Sequence, residues 1–173
     1  MSEDEQIRLP PSGIGEAAKY NFSPWFIKMR FQDKSLIEGK FWNEATKPLS
    51  TVQSTIGNEF EQRVYDTLEP LAEEHITEWY EWGEDKNEEQ LIDSVKKYGT
   101  EQHDNPCMMT QVRLKGFIGE FEISGDSDLV VLFSIENGIR IHVIDIKSSW
   151  DEKPSQQLQT ATYTNLIRDT LSN

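Results

Sequence analysis

Val52, Ile56, Phe60, Val64 and Leu68 recur every four residues, the spacing of one helical face, and Pro70 interrupts the run. The spacing predicts a helix over Ser50–Leu68. A second, Glu-rich helix is expected from Leu71 to Trp82, and a short one from Glu88 to Tyr98 ended by Gly99. Between them Gly83–Glu89 reads as an acidic loop. After Pro106 the pattern changes. Val112–Ile123, Leu129–Ile135 and Ile139–Ile146 are runs rich in Val, Ile and Phe and predict strands. Asn137-Gly138, both tolerant of positive φ, predicts a type I′ hairpin turn between the last two. Ser155–Leu171 reads as a closing helix. Residues 1–15 carry Pro10-Pro11, Gly13 and Gly15 among polar residues and predict a mobile arm. Residues 16–50 mix aromatics with Lys and Arg, as short helices and turns packed on a core would. Helices, a meander of strands and a final helix predict an α/β sandwich, one domain over 16–173.

Composition narrows this picture. A chain of 173 residues suits one sizeable core. No apolar run approaches the roughly 20 residues of a membrane helix, and the start, MSEDEQIRLPPSG, lacks the apolar stretch of a secretory signal. The expectation is a cytoplasmic protein without membrane contact. Cys107 is the single cysteine, so no intrachain disulfide forms, and cysteines alone cannot build a zinc or iron–sulfur site. The net charge of −14 repels phosphate at long range. It fits a surface adapted to high salt, a basic cleft on an acidic body, or an acidic protein-binding module that mimics DNA.

Candidate chemistry gathers near the end of the chain. In Ile139-Arg-Ile-His-Val-Ile-Asp145-Ile-Lys147, strand alternation puts Ile139, Ile141, Val143, Asp145 and Lys147 on one face. Burying a carboxylate and an ammonium beneath a sheet is costly, so the pair belongs at an open edge or cleft. There Asp145 can bind a divalent cation, and Lys147 can orient or deprotonate a water that attacks a phosphodiester. A surface ion pair at a strand end is the alternative. The same acid-x-Lys spacing occurs at Glu38–Lys40, Glu84–Lys86 and Asp151–Lys153, but in loops or polar stretches.

Gly125-Asp126-Ser127-Asp128-Leu129 places a second carboxylate at the start of the strand that pairs with the Asp145 strand. In an antiparallel pair, Asp128 and Asp145 then fall at the same end, within reach of a shared Mg²⁺ or Mn²⁺; ordinary turn aspartates are the alternative. Gln159 and Tyr163, four apart, share a helical face and can contact a nucleic-acid backbone, steady Lys147, or close the core. Glu61, in Gly57-Asn-Glu-Phe-Glu61, can complete a metal shell or remain a solvated glutamate.

The order Gly57-x-x-x-Glu61, Gly125-x-x-Asp128-Leu-Val, Asp145-x-Lys147, Gln159-x-x-x-Tyr163 resembles the RecB-type nuclease domain of the PD-(D/E)XK superfamily. It is most similar to the small CRISPR-associated exonucleases of that group. The resemblance implies a restriction-endonuclease-like sandwich, with a central mixed sheet of antiparallel hairpins flanked by helices. It also implies a Mg²⁺- or Mn²⁺-dependent deoxyribonuclease, an exonuclease before an endonuclease, acting on single-stranded DNA or ends. Asp128, Asp145 and Lys147 take the catalytic positions. Asp128, Asp145 and Glu61 take the metal, with the backbone of Ile146 in its shell; Gln159 and Tyr163 form the helix motif. Glu61 stands where many members place histidine. The four cluster cysteines are missing, so no iron–sulfur cluster is expected. Protein partners in a repair or defence complex are a further implication.

Overall fold

The computed structural model describes residues 8–23, 27, 40–77, 86–119, 121–148 and 153–172. The Val- and Ile-rich region after Pro106 forms three consecutive antiparallel strands: β3 (Cys107–Ile118), β4 (Phe121–Ile135) and β5 (Gly138–Ile144). The run Val112–Ile123, expected as one strand, is two, because Gly119 at φ 61° turns the chain back. β3 and β4 pair from Cys107↔Leu132 to Ile118↔Phe121, and β5 pairs with the second half of β4 from Leu129↔Ile144 to Ile135↔Gly138. The β4–β5 turn is therefore Glu136-Asn137, one residue earlier than expected. Gly138, at φ 138°, carries the positive φ, and Asn137 does not.

Two short strands complete a five-stranded mixed sheet. β1 (Arg8–Leu9) runs parallel to β4 at Glu122 and Ile123, and β2 (Glu74–Ile76) runs parallel to β3 at Cys107–Met109. β3 occupies one edge of β4 along its length, so β1 and β5 share the other edge. They leave residues 124–128 between them.

Four helices are described. From Arg8 onward the expected arm is instead strand β1 and helix α1 (Pro11–Lys19), with Leu9, Ile14 and Ala17 buried. Pro11 suits a first helical turn, where no N–H is needed. Residues 1–7 of the expected arm lie outside the described residues. α2 (Lys40–Leu68) starts well before Ser50 and gives way to a 3-10 turn at Glu69–Leu71, at Pro70. The Glu-rich helix expected from Leu71 is replaced by that turn and β2. Pairing of His75 with Met108 outweighs a weak helical preference. The remainder of that segment, 78–82, and residues 83–85 of the acidic loop lie outside the described residues, while the rest of the expected loop, 86–89, is helical. Parts of all three rival acid-x-Lys triplets also lie outside the described residues. α3 (Lys86–Thr100) runs through Gly99, and α4 (Pro154–Thr170) closes the chain as expected.

The sheet has a core on each face. α1, α3 and α4 cover one with Ile14, Leu91, Tyr98 and Leu166; α2 covers part of the other, where Tyr65 meets Met108, Leu129 and Val131. The main core takes Cys107 and Met109, then Val112 and Leu114, from β3. From β4 it takes Ile123, then Val130 and Leu132. Alternation thus slips by one residue in both strands, and the register is kept. The slip falls at one rung: Thr110 pairs with Leu129 and Val112 with Ser127, while Gln111 and Asp128 are skipped. Gln111 has φ 55°, the left-handed region. Among the described residues no helix is long and apolar enough to cross a membrane.

Candidate active site at the skipped rung

Asp128 lies inside β4, not at its start, but pairing with β5 begins at the next residue, Leu129↔Ile144. Asp145 immediately follows β5. Continuing the register by one step sets Asp128 opposite Asp145, so both acids lie at the same end of the hairpin, as expected. Alternation holds along β5: Ile139, Ile141 and Val143 pack on the main core, whereas Ile146 packs on the opposite face.

The two carboxylates are held differently. Asp128 Oδ2 accepts the backbone N–H of Ile146 at 2.6 Å. Ile146, expected to offer its backbone to a metal, here offers its amide to Asp128. Asp145 Oδ1 accepts from Lys147 Nζ at 2.7 Å and from Gln159 Nε2 at 3.1 Å. Asp145 Oδ2 is buried and has no hydrogen-bond partner among the described residues. Lys147 Nζ also lies 3.8 Å from Asp128 Oδ2, so one ammonium serves both acids. The Asp145 side chain is 3% exposed, Asp128 18% and Lys147 37%, so the lysine is the member that solvent reaches. Burial lifts the Asp128 carboxyl to about 6. The Ile146 N–H and Lys147 oppose that rise, and the charges of Asp145 and Glu61 add to it.

α4 positions two further predicted residues. Gln159 steadies Asp145, the acid beside Lys147, through the oxygen that Lys147 also holds. Tyr163 is buried, and its hydroxyl donates to the Asp126 carbonyl at 2.6 Å. It is placed for support, not for surface contact. Burial pushes the Tyr163 phenol up to about 12. Gly125 belongs to the same packing. A Cβ there would stand 2.5 Å from Pro11 Cδ and 3.3 Å from the Tyr163 hydroxyl, which is why the strand carries glycine under α1.

Glu61 is not gathered with the other two acids. It accepts hydrogen bonds from the Tyr65 hydroxyl and from Gln111 Nε2. The Tyr65 hydroxyl also lies 2.8 Å from the Asp128 carbonyl, so its single proton is shared between Glu61 and the Asp128 backbone. Burial, and then Glu61, raise the Tyr65 phenol far above its ordinary range. Among the described residues no three His, Cys, Asp or Glu side chains form a ready-made metal cluster. Gln111 and Tyr65 escaped the sequence reading. A Gln in a β-type run gives no sign of left-handed backbone, and Tyr65 lies off the four-residue stripe of α2.

The donors fit a hard divalent cation. Asp145 Oδ1 is engaged twice, while Oδ2 is buried with unmet acceptor capacity. Asp128, opposite it in the continued register, shares the same ammonium, at 3.8 Å from its Oδ2. Cys107 lies in the main core, its thiol pushed up to about 12 by burial. No family model, curated protein or solved structure matches the chain.

Proposed function

We propose that this protein is a Mg²⁺- or Mn²⁺-dependent deoxyribonuclease on a restriction-endonuclease-like sandwich, acting as an exonuclease on single strands or ends in the cytoplasm. The observation that carries the reading is the trio Asp128, Asp145 and Lys147, with one buried carboxylate oxygen that has no hydrogen-bond partner among the described residues. Ion pairs whose task is packing satisfy both oxygens, or they sit in solvent where satisfaction costs nothing. The order of motifs along the chain supports the same reading.

Asp128 and Asp145 would hold the cation, with Glu61 as a third carboxylate behind Tyr65. When bound, the cation supplies Lewis-acid polarisation of the phosphate and lowers the pKa of water. The Ile146 N–H fixes the rotamer of Asp128, and Gln159 fixes that of Asp145. Lys147, the exposed member, orients the attacking water and offsets charge developing on phosphate. Overall, water adds to phosphorus, the P–O ester bond breaks, and the leaving oxygen takes a proton.

The test is cleavage of single-stranded and duplex DNA with Mn²⁺, beside Asp145→Ala and an EDTA control. The expected outcome is metal-dependent cleavage that the variant lacks. Cleavage in excess EDTA, or an equally active Asp145→Ala protein, would refute the reading. The −14 charge favours one rival, an acidic protein-binding module on the same fold. That rival expects neither metal binding nor cleavage.

A further inference from the structure

We propose that the part of the sheet that α2 leaves bare binds single-stranded DNA, with bases stacked on Phe133 and His142 and the backbone beside Arg140, and leads the strand toward Asp145. The inference rests on the nuclease reading above and names the surface that takes its substrate. On this face Tyr65 of α2 reaches Met108, Leu129 and Val131, whereas Phe133, Ile135 and Ile144 remain exposed. Arg140 and His142 are exposed as well. Strand alternation groups all five, because the rungs of this face are Leu129↔Ile144, Val131↔His142, Phe133↔Arg140 and Ile135↔Gly138.

None of these rungs carries a carboxylate. In a chain with 31 Asp and Glu against 17 Lys and Arg, the face is a local exception to the charge that repels phosphate. Among the described residues the Arg140 side chain has no ion pair or hydrogen bond, so its charge is available to an incoming anion. The rings of Phe133 and His142 meet edge-on, with centroids 5.2 Å apart at 62°. An edge contact takes up at most one ring face, so a flat base still has a ring on which to stack. Each nucleotide brings one base and one negative charge, and the Phe133↔Arg140 rung sets a ring beside a guanidinium. An apolar protein surface would match Phe133, Ile135 and Ile144 but would bury the Arg140 charge unpaired, which is costly. The direction of β5 completes the case. It runs past Arg140 to Ile144, and Asp145 follows, about 17 Å from Arg140 at about 3.4 Å per residue. A few nucleotides span that distance.

The measurement is fluorescence anisotropy of a labelled single-stranded oligothymidylate in EDTA, for wild type, Phe133→Ala, Phe133→Trp and Arg140→Gln. Tm is read alongside, and Mn²⁺-dependent cleavage by the wild type is assayed separately. Phe133→Ala should bind about tenfold more weakly at an unchanged Tm, the loss of one stacked base, and Phe133→Trp should bind as wild type or better. Arg140→Gln should lessen the slope of log affinity against log salt by about 0.7, the share of one phosphate contact. Wild-type affinity and salt slope in Phe133→Ala and Arg140→Gln, beside a wild type that cuts with Mn²⁺, overturn the proposal and leave the nuclease reading standing. A dimer in sedimentation that Phe133→Ala dissolves, with DNA affinity unchanged, overturns it too, since a second copy then covers the face. A wild type that binds through Phe133 and Arg140 yet never cuts overturns the nuclease reading, and with it the delivery of a strand to Asp145.

Discussion

Asp128→Asn should make the metal-free protein more stable while ending its activity. Burial raises the Asp128 carboxyl from its ordinary 3.8 to about 6. Because the folded pKa lies above the unfolded one, the fold is favoured by a protonated Asp128. That advantage is full below 3.8 and is lost as pH rises through 6. At pH 8 the folded protein therefore bears the cost of a buried charge. That rise corresponds to at most about 3 kcal/mol, and partial contact with solvent lowers it to about 1–2 kcal/mol. Asparagine removes the charge and keeps an oxygen for the Ile146 N–H. In EDTA at pH 8, Tm should rise by about 2–8 °C, at about 2–4 °C per kcal/mol for a chain of this size. Below pH 4 the difference should vanish. Mn²⁺ should raise the Tm of wild type and leave Asp128→Asn unmoved, because ligand binding stabilises only a fold that retains the site. A variant that melts at or below wild type in EDTA at pH 8 would show that Asp128 is a stabilising carboxylate, and the reasoning would fail.

Lys147→Ala should cost about 1–3 kcal/mol of stability, because the nearly buried Asp145 carboxylate loses its cation, and slow single-turnover cleavage by about 10²–10⁴-fold; a wild-type rate would reduce Asp145 and Lys147 to a structural pair. Gly125→Ala should lower stability in urea by about 1–3 kcal/mol, because the added methyl meets the rigid ring of Pro11. Gly57→Ala, within α2 and open to space, should instead stabilise by about 0.5–1 kcal/mol.

The closing helix and the hairpin with Asp128 and Asp145 at one end were legible because each rests on local periodicity. α4 starts one residue before Ser155, and the two acids face each other one step beyond the last β4–β5 pair, Leu129↔Ile144. Other features depend on partners distant in sequence. Leu9 and Ile14 looked like an arm because two apolar residues among polar ones do not announce the sheet edge and the helix that bury them. Glu74-His-Ile76 became a strand through β3, more than thirty residues on. The stripe Val52–Leu68 marked a real helix, yet Ile56 and Phe60 remain exposed, so the period gave the element and not its burial. The slip at Gln111 is the clearest case. It shifts alternation in two strands at once and cancels in the register, leaving no trace in either run alone.

The stretch of β4 that neither β1 nor β5 covers has a second significance, for solubility. A strand edge with unclaimed carbonyls invites another chain to add a strand of its own. Here the carbonyls of Asp126 and Asp128 are occupied by phenols reaching in from α4 and α2, Tyr163 and Tyr65. A hydroxyl at the tip of a large ring fills the acceptor without extending the sheet, and the ring behind it obstructs an incoming backbone. Two acceptors beside the proposed cation site are thereby taken up within the chain itself. One pair of tyrosines leaves an added strand two fewer carbonyls to pair with on this stretch.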